Sequence, residues 1–196
     1  MRLFLAINLD PAIRREIVDA TAPLRAAAPS LNWVDETRLH LTLKFLGEQA
    51  EDVVPKMGAA MDEVAARHRR FAMSVSGVGA FPNFRRARVV WIGAEREPRL
   101  ELLHHDVEVA CQDLGFELEG RAFRPHLTLA RVRDRTDANE LRRLSRASTR
   151  IEFDGESAVE SIDLMLSRTG GGRAGGARTE PVARYERLHA ATLRTS

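Results

Sequence analysis

Two histidines stand in identical surroundings, "HLTL" at His40–Leu43 and again at His126–Leu129. In an extended strand side chains alternate between faces, so His40 and Thr42 share one surface while Leu41, Leu43 and Phe45 share the core side. By the same count Lys44 joins His40 and Thr42. The second copy sets His126 and Thr128 together, with Leu127 and Leu129 inward. Unperturbed imidazole titrates at about 6.5, so near neutral pH one histidine can be neutral while the other is protonated. In-line displacement at phosphorus needs that pairing: a base for the nucleophile on one side, an acid for the departing oxygen on the other. The threonine hydroxyls can donate to the non-bridging oxygens between them. Two opposed copies would therefore make a phosphoryl-transfer centre that requires no metal and no cofactor.

Other chemistries find less support. Two histidines are too few for a metal centre, and no His-x-x-x-His or His-Glu-x-x-His helix is present. His104 and His105 are adjacent on an expected helix and cannot share a face; His68 and His189 read as ordinary histidines. The glycine-rich "TGGGRAGGARTEP" lacks the Lys-Ser/Thr of a P-loop and reads as a long flexible hairpin loop over 169–180. One cysteine, Cys111, rules out an internal disulfide and reads as a buried helix residue in a protein of a reducing compartment.

The elements that must hold the two histidines follow from hydrophobic period and end signals. "RLFLAINL" is a buried strand, read as such rather than as a signal peptide because Asp10 and Pro11 follow at once. Asp10 and Pro11 open a helix carrying Ile13, Ile17 and Leu24, shortened or kinked at Pro23. "LNWV" is a short strand, and "LHLTLKFLG" is a strand ending at Gly47. Glu51 and Asp52 open a helix with Val54, Met57, Met61 and Val64 inward. "FAMSVSGVGAF" and "RVVWIGA" are strands joined by "PNFRR". Pro98 starts a helix burying Leu100, Leu103, Val107 and Cys111 and ending at Gly115. "FRPHLTLARV" is the second motif strand, and Asp137 caps a helix through Leu141 and Leu144. "SAVESIDLMLSRT" and "YERLHAATL" close the chain as two strands. Each half thus runs motif strand, helix, strand, strand, which predicts two lobes related by a pseudo-twofold axis.

Composition sets the outer bounds. The chain has 196 residues, 44% hydrophobic and 30% charged, enough for one compact domain. No apolar run reaches the roughly 18 residues of a membrane span, which predicts a soluble protein. Net charge is only +2, yet residues 121–150 hold nine arginines against three acids, Asp134, Asp137 and Glu140. An anionic ligand accounts for that run, and so does an arginine-rich composition with only Lys44 and Lys56 as lysines.

The motif contexts "RLHLTLKFLGE" and "FRPHLTLARV", with the opening "RLFLAINL" and the "RVVWIG" strand, resemble the RNA 2',3'-cyclic phosphodiesterases of the 2H phosphoesterase superfamily, also called 2'-5' RNA ligase-like proteins. The likeness spans nearly the whole chain. It implies an α+β fold, a single bilobal pseudo-twofold domain over 1–196, with two antiparallel sheets forming a central cleft and helices outside. It further implies metal-independent opening of an RNA terminal 2',3'-cyclic phosphate to a 2'-phosphomonoester. By the resemblance His40 is the acid to departing O3', His126 the base toward water, and Thr42, Thr128 and Arg131 bind phosphate. Strand parity points Arg131 away from His126 unless the strand ends or bulges first. The implied partners are RNA ends or small cyclic-phosphate nucleotides, handled by a cytoplasmic monomer without a membrane. The alternatives are another cyclic phosphate, a 2'-5' linked oligonucleotide, or a non-catalytic RNA-end binding module. Phe84, Trp33 and Tyr185 are candidates to stack a base, each weighed against packing in the core.

Overall fold

The computed structural model describes residues 1–133, 136–170, 173–174, 177–178 and 182–195. Its frame is an antiparallel sheet curled into a half-barrel, with the helices on the convex side. The chain opens with β1 (Arg2–Asn8), α1 (Pro11–Ala20), α2 (Ala22–Ala27), β2 (Asn32–Trp33) and β3 (His40–Glu48), which carries the first motif. Then come α3 (Val53–Ala65), β4 (Phe71–Phe81), β5 (Val89–Ala94), α4 (Pro98–Asp113) and β6 (His126–Arg131), which carries the second. The end comprises α5 (Ala138–Ser148), β7 (Asp154–Val159), β8 (Ser161–Gly170), β9 (Arg173–Ala174), β10 (Ala177–Arg178) and β11 (Val182–Thr192).

The strand order is β11-β8-β1-β3-β6-β5-β4-β7, with β2 beside β6 and the short β9–β10 pair apart. The two expected sheets meet along the motif strands, joined through Leu41 opposite Leu127. Each motif strand keeps the following helix and hairpin that its half of the sequence promised, but the hairpins are exchanged. The β4–β5 hairpin that follows the first motif flanks β6, and the β8–β11 hairpin that follows the second flanks β1, the neighbour of β3. "SAVESIDLMLSRT", expected as one strand, is divided at Glu160: β7 pairs with β4 at one end of the sheet while β8 pairs with β1 in the other half. In the stretch 169–180, expected as a long flexible hairpin loop, 169–170 continue β8 and the β9–β10 pair is strand; residues 171–172, 175–176 and 179–180 lie outside the described residues.

The helices form for the reasons legible in their ends. Asp10 accepts from the Ala12 N–H at 2.7 Å with Pro11 at the first helical position, and α1 buries Ile13 and Ile17 before breaking at Thr21. Glu97 caps α4, whose Leu100, Leu103, Val107 and Cys111 are fully buried, and Gly115 ends it at φ +89°. These residues and Leu41, Leu43, Leu127 and Leu129 share one core on the convex side. A second, small cluster of Phe4, Ala6 and Met165, with Tyr185 against it, lies on the opposite, concave face. Cys111 is a core residue as expected; burial pushes its thiol up to about 12. Among the described residues no helix is long and apolar enough to cross a membrane.

Candidate active site

The antiparallel register through Leu41 and Leu127, continued one residue each way, sets His40 beside Thr128 and Thr42 beside His126. Four side chains thus converge on the concave face as a cross-strand quartet, the histidines on one diagonal and the threonines on the other. Diagonal neighbours in a regular ladder stand roughly 7–8 Å apart, a gap suited to a phosphoryl group between two imidazoles.

Each ring is aimed by its own backbone. Nδ1 of His40 lies 2.7 Å from the Arg38 carbonyl, and Nδ1 of His126 lies 2.7 Å from the Arg124 carbonyl. A carbonyl only accepts, so Nδ1 carries the proton in both rings and Nε2 is left for a ligand. The matching bonds to the second residue upstream repeat at both sites what the sequence repeats. Ring contacts complete the walls: His40 sits 5.0 Å from Phe4 and 5.3 Å from Tyr185, and His126 sits 5.0 Å from Phe81 and 6.4 Å from Trp91.

Both motif strands bulge at the second leucine, and the bulge reverses which residues face the cleft beyond it. In β3, Thr42 faces Ala6 and Lys44 faces Leu5, so Leu43 is an extra residue and the parity flips. Lys44, expected on the site face, is therefore turned into the core at 7% exposure, and Phe45, expected as a core anchor, stands on the concave face at 67%. In β6, Thr128 faces Trp91 and Ala130 faces Val90, so Leu129 is the extra residue. Ala130 is buried and Arg131 returns to the face of His126 and Thr128, close enough to act electrostatically on His40. The bulge resolves the conflict between alternation and an Arg131 role. Burial lowers the pKa of His40 from its ordinary 6.5, against the hydrogen bond to the Arg38 carbonyl; the charges of Arg131, Arg14 and Arg38 lower it further.

Behind the quartet a buried ion pair ties the two motifs together. Lys44 Nζ donates to both carboxylate oxygens of Glu108 on α4, at 2.9 and 2.8 Å, and to the Glu117 carbonyl at 2.8 Å. Glu108 also accepts from the Glu119 N–H at 3.0 Å, and His104, one turn earlier on α4, stacks on Phe123 with ring centroids 3.8 Å apart. A residue of the first motif strand thereby holds the loop that delivers His126.

Beside His40 a cavity of about 490 Å³ opens between Tyr185, Met165, Asn8, Arg38 and Arg184. Asn8, opposite His40 in the sheet, donates to the fully buried carboxylate of Asp163, which also accepts from the Ser161 hydroxyl at 2.8 Å. Of the three aromatic candidates, only Tyr185 reaches this cavity. Trp33 donates to the Ala28 carbonyl at 2.9 Å beneath the Arg25 guanidinium, and Phe84 packs toward α5. Phe4, Phe81 and Trp91, which do line the histidines, carry no local sequence signal that separates them from core aromatics. No group of three or more potential metal ligands occurs among the described residues.

The curled α+β half-barrel with a paired histidine–threonine face defines a recognisable class of protein. A family model for the 2'-5' RNA ligase superfamily matches residues 9–170, and the chain belongs to that family, the 2H phosphoesterases. It is 30% identical over 167 residues to an RNA 2',3'-cyclic phosphodiesterase of Methanothermobacter thermautotrophicus, covering 85% of this chain and 90% of the relative. Among solved structures, TT0787 of Thermus thermophilus superposes with a TM-score of 0.76 at 30% identity, over 100% of this chain and 99% of that one. Escherichia coli LigT complexed with 3'-AMP superposes at 0.68 and 27% identity, over 98% and 97%.

Proposed function

We propose that this chain hydrolyses RNA terminal 2',3'-cyclic phosphate to a 2'-phosphomonoester by two-histidine acid–base catalysis without a metal. The carrying observation is the matched pair of Nδ1–carbonyl bonds, which present two Nε2 atoms to one space flanked by two threonines. The similarity to the RNA 2',3'-cyclic phosphodiesterase of Methanothermobacter thermautotrophicus supports the substrate class. Water lies on the side of His126, whose Nε2 takes its proton as the new P–O bond forms. The P–O3' bond breaks, and O3' takes the proton of His40, leaving the phosphate on O2'. Solvent then returns His126 to its neutral form and His40 to its protonated form. Thr42 and Thr128 donate to the non-bridging oxygens, and the Arg131 guanidinium balances their negative charge. The assignment of acid and base follows the family resemblance; the lowered pKa of His40 is compatible with it once an anionic phosphodiester is bound, because the anion favours the imidazolium.

The test is incubation of the purified protein with EDTA and a short RNA ending in 2',3'-cyclic phosphate, with identification of the product isomer. A 2'-phosphate formed by wild type and lost in both His40→Ala and His126→Ala is the expected result. Binding without turnover by a folded wild type would reject catalysis, and a 3'-phosphate product would reject the assignment of the leaving oxygen.

A further inference from the structure

The arginine-rich run is only partly absorbed by the catalytic face. Arg131 turns to the cleft, but α5 carries Arg142, Arg143 and Arg146 on its exposed side. The single acid within α5, Glu140, points the other way, 7% exposed, where it accepts from the Ser30 N–H at 3.1 Å and from the Ser30 hydroxyl. The outer face of the helix is left with one sign of charge. Facing it is the turn Phe84–Arg86, shaped by Asn83, whose Oδ1 accepts from the Arg85 and Arg86 N–H groups at 3.0 and 3.2 Å.

Between turn and helix runs a groove of about 390 Å³ with Phe84 and Leu141 at its base and Arg85, Arg142 and Arg146 around it; among the described residues no acid lines it. None of those three guanidinium groups makes an ion pair among the described residues. Its place in the fold is specific. Phe84 follows by three residues Phe81, whose ring lies 5.0 Å from His126, and just past Arg131 the Val132 N–H donates to the Arg88 carbonyl at the far end of the same turn. The groove therefore begins at the rim of the cleft on the His126 side.

We propose that this groove binds the backbone of a single-stranded RNA whose 3' end occupies the cleft. Arg85, Arg142 and Arg146 each neutralise a phosphate, and Phe84 offers an apolar face to a base or sugar. A concave strip of isolated cations over an apolar base suits a flexible polyanion, whereas a flat anionic surface would reach only its rim. This rests on the reading of the cleft as a site for RNA ends.

The experiment compares wild type with the triple variant Arg85→Gln/Arg142→Gln/Arg146→Gln. Substrates are a nucleoside 2',3'-cyclic phosphate and an RNA of about a dozen nucleotides ending in the same group, each followed as KM against salt. For the longer RNA the slope of log KM against log salt is expected to fall by about 2 in the variant, since each phosphate contact on a single strand contributes about 0.7. KM and kcat for the nucleoside substrate are expected to stay unchanged. Equal effects on both substrates, or none on the longer one, would overturn the proposal. Fluorescence anisotropy with the same RNA ending in a 3'-hydroxyl separates this inference from the catalytic one. A wild-type salt slope that the variant reduces, without turnover of either substrate, keeps the groove and rejects the phosphodiesterase reading; identical slopes with intact turnover do the reverse. Displacement of RNA by polyglutamate at equal charge would also overturn the proposal, assigning the groove to an acidic protein.

Discussion

His40 lies under opposing influences that set the pH range of any reaction it serves. Burial and three arginines lower its pKa, and the Arg38 carbonyl opposes them. An acid must carry its proton, so kcat/KM, which reports the free protein, is expected to fall as pH rises through a value below 6.5. A bound phosphodiester anion favours the imidazolium, so the corresponding limb of kcat is expected at higher pH. Coincident limbs in the two profiles, or a limb that survives in His40→Ala, would remove His40 from the acid role. Arg131→Gln carries a linked expectation. Removing that cation raises the pKa of His40 and moves the kcat/KM limb upward, while the plateau of kcat drops about 10²–10³-fold through lost charge stabilisation. A drop without the shift would mean that Arg131 binds phosphate without acting on His40. At this scale the sequence was legible where strand alternation holds, which covers both histidines and both threonines. It misplaced Lys44 and Phe45 because a bulge is a property of two strands in register, and neither Leu43 nor Leu129 carries a mark of being the extra residue.

At the scale of elements, the bulge in β3 is coupled to α4. Turning Lys44 inward places an ammonium in the core, tolerable because Glu108 and the Glu117 carbonyl meet it. Glu108→Leu leaves that charge unpaired and is expected to lower stability by roughly 3–5 kcal/mol in urea unfolding. The double variant Lys44→Met/Glu108→Leu is expected to recover most of the loss. Its kcat on a cyclic phosphate should stay low, since the loop at Glu117 and Glu119 has lost its anchor; full recovery of kcat would reduce the pair to a matter of stability. A second coupling joins β4 and β5. A Cβ on Gly79 would lie 2.1 Å from Trp91 Cζ2, so the indole rests on bare backbone there, 5.2 Å from Phe81 and 6.4 Å from His126. Gly79→Ala is expected to displace the ring, seen as altered indole fluorescence, and to lower turnover with the wild-type fold retained; unchanged fluorescence would show that β4 yields instead. The helix starts at Asp10, Pro98 and Asp137 could be read locally, because the signals that set them lie within two or three residues; the cap supplied by Glu97 is seen only in the structure. Glu108 could not be matched to Lys44 across 64 residues from sequence alone.

At the scale of the whole molecule, the internal repeat is made of exchanged parts. The first motif strand, β3, leans on β1, which is covered by β8 and β11 from the end of the chain, while β6 is covered by β5 and β4 from before it. Strands of similar composition carry no label for their partners, so the order of elements could be read from the sequence but the exchange could not. Its consequence is cooperative folding. Removing residues after 96 takes β6 from β3 and β5, and β8 from β1, leaving long unpaired edges in both halves. The fragment 1–96 is therefore expected to be unfolded by far-ultraviolet circular dichroism. The full chain is expected to unfold in urea with coincident transitions by circular dichroism and tryptophan fluorescence. Trp33 reports on β2 beside β6 and Trp91 on β5. Two separate transitions, or a folded fragment, would show that each motif has a self-sufficient lobe. A single transition would mean that the histidine pair exists only in the assembled whole, since β3 lacks β6 in the first half of the chain and β6 lacks β3 and β5 in the second.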